Sequence, residues 1–302
     1  MRPTDVSPFI GAISAIRLSN YNSYFSAVDH QDLYACYQWN GELSRSFLPL
    51  IHLVEVALRN AYHRALSAHY SQVHTGVRSD SYRWYLHTNF VRNSQKSLEK
   101  AANGAANLPT AKPDDIVSKQ TFGFWTNILA EPLTPWGVVL GSVFPNTTKS
   151  WVHGRNRDFL TCRKRLINDL RNRISHWEPV WKQPDLMEER ILRTGSSPLR
   201  VYAPATTNPA ESIARLQLIH DRTVSLLEMM NRDLSNAYKD SYSYEHFVWV
   251  CSEAGLESFR GYERRKQMSM TNAKRSFSSI MASKSILTVT NGKTRVRIQP
   301  LG

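Results

Sequence analysis

Arg171 and His176 fall in the run Arg171-Asn-Arg-Ile-Ser-His176-Trp-Glu-Pro179, and residues of these two types can act together on a phosphodiester. An imidazole titrates near pH ~6.5, so it can take a proton or give one at physiological pH. A guanidinium stays charged and offers a planar fork of N–H donors to two phosphate oxygens at once. The spacing alone is weak, because a chain with this many Arg and His has about one such pair by chance. Three occur: Arg64 with His69, Arg171 with His176, and Arg215 with His220. Only the middle pair has Asn directly after the Arg and a helix end, marked by Pro179, just after the His. On a regular helix the two residues stand about 140° apart. Both can face one phosphate only if the helix breaks between them or a second copy of the chain contributes.

Other chemistries have no foothold. The sequence has no Gly-x-x-x-x-Gly-Lys-Ser/Thr, Gly-x-Gly-x-x-Gly or Gly-x-Ser-x-Gly, so nucleotide-cradling loops and nucleophile elbows are not expected. It also lacks His-Glu-x-x-His and Cys-x-x-Cys, and no metal or other cofactor is predicted. Cys36, Cys162 and Cys251 are odd in number and far apart, which gives no disulfide framework and fits a reducing compartment.

The elements that must position these residues read as helices. Phe47, Leu50, Ile51, Val54, Ala57, Leu58, Ala61 and Ala65 recur at spacings of three and four, one apolar stripe. Glu55 and Arg59 lie outside that stripe, four apart, where they can pair. A second stripe runs through Phe159, Leu160, Ile167, Leu170 and Ile174, and a third from Ile213 to Met230. Asn208 is the predicted N-cap of the third, with Pro209 at its first position and an end near Leu234. Glycine and proline mark 102–115 as a loop and 178–207 as a long irregular connection. Near the end, Asn291-Gly292 between β-branched runs predicts a hairpin over 285–298 with a type I′ turn. The fold class is therefore mainly α, a helical bundle over 1–235, followed by a small basic extension, 236–302, that contains the hairpin.

Lys and Arg exceed Asp and Glu by 13 in the 302 residues. Residues 260–302 hold ten basic residues and one acidic one, a net +9. Such a surplus points to a polyanion, with nucleic acid the commonest. The longest apolar stretch, Trp136 to Phe144, is far shorter than the ~20 residues of a membrane span, and the start lacks a secretory pattern. A cytoplasmic protein without membrane contact is expected.

Four short motifs in order carry a family resemblance: Tyr37-x-Trp39-Asn40 with Leu43-Ser44, then Glu55-Val-Ala-Leu-Arg59-Asn60, then Phe122-Gly-Phe-Trp125, then Arg171-Asn-Arg-Ile-Ser-His176-Trp-Glu-Pro179. From about Ile16 to Leu234 the chain resembles the Abi-like proteins, bacterial abortive-infection factors built on the HEPN domain. The resemblance implies a HEPN-like bundle, acting as a dimer or a higher even-numbered assembly, that cleaves RNA without a metal. It assigns catalysis to Arg171 and His176, with Asn172 as the polar residue after the Arg. It also makes Glu55, Arg59 and Asn60 candidate site-lining residues. Residues 236–302 lie outside it.

The chemistry fits these residue types. The 2′-OH of RNA attacks the adjacent phosphorus, one group takes its proton, another protonates the leaving 5′-oxygen, and positive charge steadies the non-bridging oxygens. The products are a 2′,3′-cyclic phosphate and a 5′-OH, and DNA is not a substrate. Arg155, Arg157, Arg163, Lys164, Arg165 and Arg173 precede His176 and are expected to form a phosphate track. Arg264, Arg265, Lys266, Lys293, Arg295 and Arg297 form a second candidate RNA surface in the tail. Each feature also has a purely structural account. A helix-terminal histidine can serve the helix end, Glu55 and Arg59 can form an intrahelical ion pair, Phe122 to Trp125 can be core, and a run of cations can be a solvated face. The alternative function is a non-catalytic RNA-binding protein holding a structured small RNA, or a nuclease held inactive by that RNA.

Overall fold

The structure, a computed structural model, describes residue 3 and residues 5–261, 267–283 and 286–298. Fourteen α-helices occur among the described residues. The first two, α1 (Ser7–Ile13) and α2 (Ala15–Phe25), lead into α3 (His30–Thr75), which is 46 residues long. At 1.5 Å per residue that is a rod of about 69 Å. It extends the predicted stripe at both ends. Asp29 caps its start by accepting from the Asp32 N–H, and Gly76, at φ 71°, ends it in the left-handed conformation. Four short helices follow, α4 (Arg92–Ala101), α5 (Pro113–Ser118), α6 (Phe122–Asn127) and α7 (Trp136–Val143). The long helices α8 (Gly154–Ser175) and α9 (Pro209–Met230) come next, then α10 (Arg232–Lys239), α11 (Tyr242–Val250) and α12 (Glu253–Arg260).

Helix α3 is the spine: α2, α7, α8, α9, α11 and α12 all pack on it. Its buried stripe, Phe47, Leu50, Ile51, Val54 and Leu58, is fully enclosed, as the spacing predicts. Phe122, Phe124 and Trp125 are likewise core. Gly123 is not required for that packing, since a Cβ there would sit 3.7 Å from Thr121 Oγ1, an ordinary contact. The expected cap of α9 is present. Asn208 accepts from the Glu211 N–H, while Glu211 reaches back to the N–H and hydroxyl of Thr207. That helix stops at Met230 rather than near Leu234, because Asn231 adopts an extended backbone and its side chain caps α10 instead.

The predicted boundary at 235 falls inside one continuous core. Phe247, Trp249, Val250, Leu256 and Phe259 belong to the same buried cluster as the α3 stripe, so the helical body runs on to Arg260. Beyond it, strand β3 (Gln267–Ser269), α13 (Met270–Arg275), α14 (Phe277–Ser283) and the strands β4 (Leu287–Asn291) and β5 (Thr294–Ile298) share a separate small core of Ala273, Ile280 and Val289. Here β3 pairs parallel to β4, and β4 pairs antiparallel to β5. The hairpin is thus where it was expected, but its turn is shifted by one residue. Asn291 pairs with Thr294, so the central residues are Gly292 and Lys293. Positive φ occurs only at Gly292, the pattern of a type II′ rather than a type I′ turn. Two short strands at Leu186–Met187 and Val201–Ala203 also pair within the connection 178–207. No helix among the described residues is long and apolar enough to cross a membrane.

Candidate active site

Helix α8 carries the Arg171–His176 segment in its last two turns. The ladder runs without a break through His176, whose N–H donates to the Asn172 carbonyl at 3.0 Å. The chain turns one residue later. Trp177 N–H donates to Ile174 O at 3.1 Å and Glu178 N–H to Arg173 O at 2.9 Å, the paired bonds of a Schellman close. Trp177 occupies the left-handed position of that motif at φ 55°. Glycine usually fills this place, and a bulky side chain there costs roughly 1–2 kcal/mol. The other non-glycine residues with positive φ among the described residues are Ser14, Ser26 and Asn103, which are small and polar.

Several residues fasten this turn to the bundle. Arg173 donates to the carbonyls of Pro179 and Lys182, and Arg17 Nη2 donates to the His176 carbonyl at 3.4 Å. The buried Asn40 on α3 accepts the Val180 N–H at 2.9 Å. A Cβ added at Gly41 would lie 3.6 Å from Trp177 Cζ3, so one edge of the indole rests on α3 there. Farther back, Lys164 Nζ meets Tyr62 Oη at 3.3 Å. These two crossing points make α8 antiparallel to α3 and place Glu55 and Arg59 on the stretch between them.

Rotation around the helices then sorts the candidates. Seven residues bring Arg171 to within about 20° of Lys164, the stripe that faces Tyr62 and Trp125. Glu55 and Arg59 lie within about 40° of Gly41 on α3. Arg171, Glu55 and Arg59 are all half-buried along this α3–α8 seam. Among the described residues no hydrogen bond or ion pair joins them. Arg171 Nη1 donates to Asn172 Oδ1 at 3.4 Å, and Arg59 Nη1 donates to the Ser118 carbonyl at 3.2 Å. Glu55 and Arg59 therefore do not form the intrahelical pair that their spacing allows, and Asn60 is exposed away from the seam. His176 is exposed and stays about 140° from Arg171, because the helix breaks only after it. It shares its stripe with Arg165, Asp169 and Arg173, which line an open cavity of about 650 Å³ flanked by the strap 183–192.

The proposed phosphate track is corrected at several positions. Lys164 has no exposed surface and donates to the Trp125 carbonyl at 2.8 Å. Burial lowers its pKa well below the ordinary lysine value, with Arg165 adding to the effect. It is a core residue and cannot meet an RNA phosphate. Arg163 is bound to Glu189, Nε to Oε1 at 2.6 Å, and lies over the Phe159 ring. Arg157 donates to the Trp151 carbonyl at 3.5 Å. The strap itself is held down by Arg193, whose Nη2 meets Asp158 Oδ1 at 2.7 Å. Burial opposes ionisation of Asp158, but Arg193 and the Ile191 N–H hold its carboxyl below the usual value. Of the expected track residues, Arg155 and Arg165 are exposed. Arg155 lines a second cavity of about 560 Å³ with Lys149, Phe159, Arg190 and Arg200.

In the tail, Lys293, Arg295 and Arg297 are exposed on the hairpin, whereas Arg264, Arg265 and Lys266 lie outside the described residues. Trp177 was legible in the sequence only as part of the motif. The signal for it is a large aromatic caught between a helix-ending His and a Pro. Among the described residues no group of three or more His, Cys, Asp or Glu is placed to hold a metal ion. Comparison with protein-family models, with curated proteins and with solved structures returns no match.

Proposed function

We propose that this chain is a metal-independent endoribonuclease of the Abi-like HEPN kind, a toxin of a bacterial phage-defence or toxin–antitoxin system that acts in the cytoplasm as a dimer. The observation that carries the reading is the end of α8, where Arg171 lies on the half-buried seam, Asn172 accepts its hydrogen bond, and His176 stands exposed at the helix terminus. His176 takes the 2′-OH proton as that oxygen attacks phosphorus, and the P–O5′ bond breaks. A second histidine, from the partner copy, delivers a proton to the leaving oxygen, and Arg171 faces the non-bridging oxygens. Glu55 and Arg59 line the same seam as Arg171, Glu55 with opposite charge and Arg59 with a further cation. The 140° divergence within one chain favours a site completed across a two-fold axis, the commonest symmetry of soluble oligomers.

The test is incubation with structured and single-stranded RNA in EDTA. Wild type should yield 2′,3′-cyclic phosphate ends, and His176→Ala should cut 10²- to 10⁴-fold more slowly, about what loss of a general acid–base group removes. Equal cleavage by the two would end the catalytic assignment. A second reading, a non-catalytic RNA-binding protein or a nuclease restrained by a bound small RNA, draws on the exposed cations of β4–β5. RNA that copurifies and is released by salt, with affinity unchanged in Arg171→Ala, would favour it.

A further inference from the structure

We propose that Trp177 is a stacking platform for an unpaired base next to the phosphate at His176, so that the RNA taken by this site is single-stranded at the point of contact. The inference rests on the nuclease reading for what happens to that RNA, but not for the stacking itself. Three observations carry it. The chain has eight tryptophans; seven of them are buried, and Trp177 alone is exposed, at 57%. It directly follows His176 and is seated edge-on against α3 at Gly41, which fixes its position while leaving more than half of its surface open. It also holds a left-handed backbone conformation that disfavours large side chains. A glycine would relieve that strain, and Trp177 has no side-chain hydrogen bond in the described structure to offset it; only the edge resting on α3 is covered. Strain of this sort gathers where a side chain is needed for binding. An open indole beside a proton-transfer group suits a base π-face, which only an unpaired nucleotide presents.

The experiment uses the full chain and a 2′-O-methyl RNA hexamer, which binds but has no 2′-OH with which to be cut. Because seven tryptophans are shielded, collisional quenching by iodide reports chiefly on Trp177. The hexamer should quench tryptophan emission and protect it from iodide, and the same sequence as a duplex should do neither. Trp177→Leu should bind the hexamer about 5- to 150-fold more weakly, the loss of one stacked base, and Trp177→Phe should keep most of the affinity. Trp177→Gly, which trades the lost edge contact for relief of the left-handed strain, should still melt cooperatively while binding as poorly as the Leu variant, which separates loss of stacking from loss of folding. Wild-type affinity in Trp177→Leu, or unchanged emission at saturating hexamer, would overturn the proposal. A blue shift on concentrating the protein without RNA, and none on adding RNA, would overturn it too and place the indole in a contact between copies. Quenching without any RNA cleavage would defeat the nuclease reading and leave the platform standing. Cleavage that is indifferent to Trp177 would do the reverse.

Discussion

Arg260 grips Asp32 with two prongs, Nε to Oδ1 at 2.8 Å and Nη2 to Oδ2 at 2.7 Å. The pair joins the last turn of α12 to the first turn of α3, 228 residues away. Asp32 is buried, so removing its partner leaves a carboxylate short of compensation. Arg260→Ala should lower stability by about 2 kcal/mol in a denaturant titration, and Arg260→Lys should recover only part of it, because a point charge cannot replace the fork. Equal midpoints for wild type and Arg260→Ala would show that the end of α12 does not brace α3.

Acid should weaken the fold through His220. Its ring is stacked on Phe247 at 3.8 Å, and its Nε2 lies 2.8 Å from Tyr238 Oη. Burial pushes its pKa down to about 3. The unfolded chain takes up a proton near pH 6.5 while the folded one does not, so stability is full above that value and drains away as pH falls toward 3. Between pH 7 and pH 5 the loss from this one group is roughly 2 kcal/mol. Burial also depresses His63, despite Asp114 opposite it, and acts in the same direction. In His220→Gln the slope of stability against pH over 5–7 should flatten, whatever the absolute stability. An unaltered slope would assign acid sensitivity to other groups.

Lys164 and Arg165 are neighbours in sequence with opposite fates. Lys164 is buried with a depressed pKa, so the unfolded state is favoured by protonation from that depressed value up to the ordinary ~10.4, and stability climbs with pH across this window. Lys164→Met should remove the climb and leave RNA affinity within about twofold of wild type. Arg165→Glu, on the exposed stripe, should weaken single-stranded RNA binding about threefold or more and make the salt slope shallower by about 0.7. If Lys164→Met weakens binding as much as Arg165→Glu in a protein that melts normally, Lys164 must reach the phosphate after all.

Because both copies of His176 serve one cleft, a shared site predicts that an inactive copy is dominant. His176→Ala should be inactive alone. Mixed in equal amounts with wild type and allowed to exchange subunits, it should leave about a quarter of the cleavage given by the same total amount of wild type, since only that share of the dimers keeps both histidines. A mixture that retains about half would place a complete working site in one chain.

The sequence makes the helices legible and their partners much less so. The stripe of α3, the Asn208 cap and the tail hairpin follow from local rules of spacing, capping and turn chemistry, and the structure contains all three. Asn40 appears in the sequence only as a motif residue, and its bond to the Val180 N–H depends on two segments 140 positions apart. Lys164 was assigned to a phosphate track because charge normally means surface. Only the tertiary packing of Tyr62 and Trp125 around it could show otherwise. The body's extension to Arg260 is hidden in the sequence because short apolar helices such as α11 do not announce which core they join. The sequence shows 183–192 only as part of an irregular connection, since a strap held by Asp158 and Arg163 on α8 leaves no periodic trace of where it docks.

The spine helix has a consequence for the order in which the protein is made. Residues 30–75 are made before α9, α11 and α12, which cover much of their apolar stripe. Contacts between segments so far apart close slowly, and until they close the stripe is open to wrong partners. A chain halted before Arg260 would carry the Arg171–His176 segment on an unfinished bundle, so the site matures only once synthesis has passed α12.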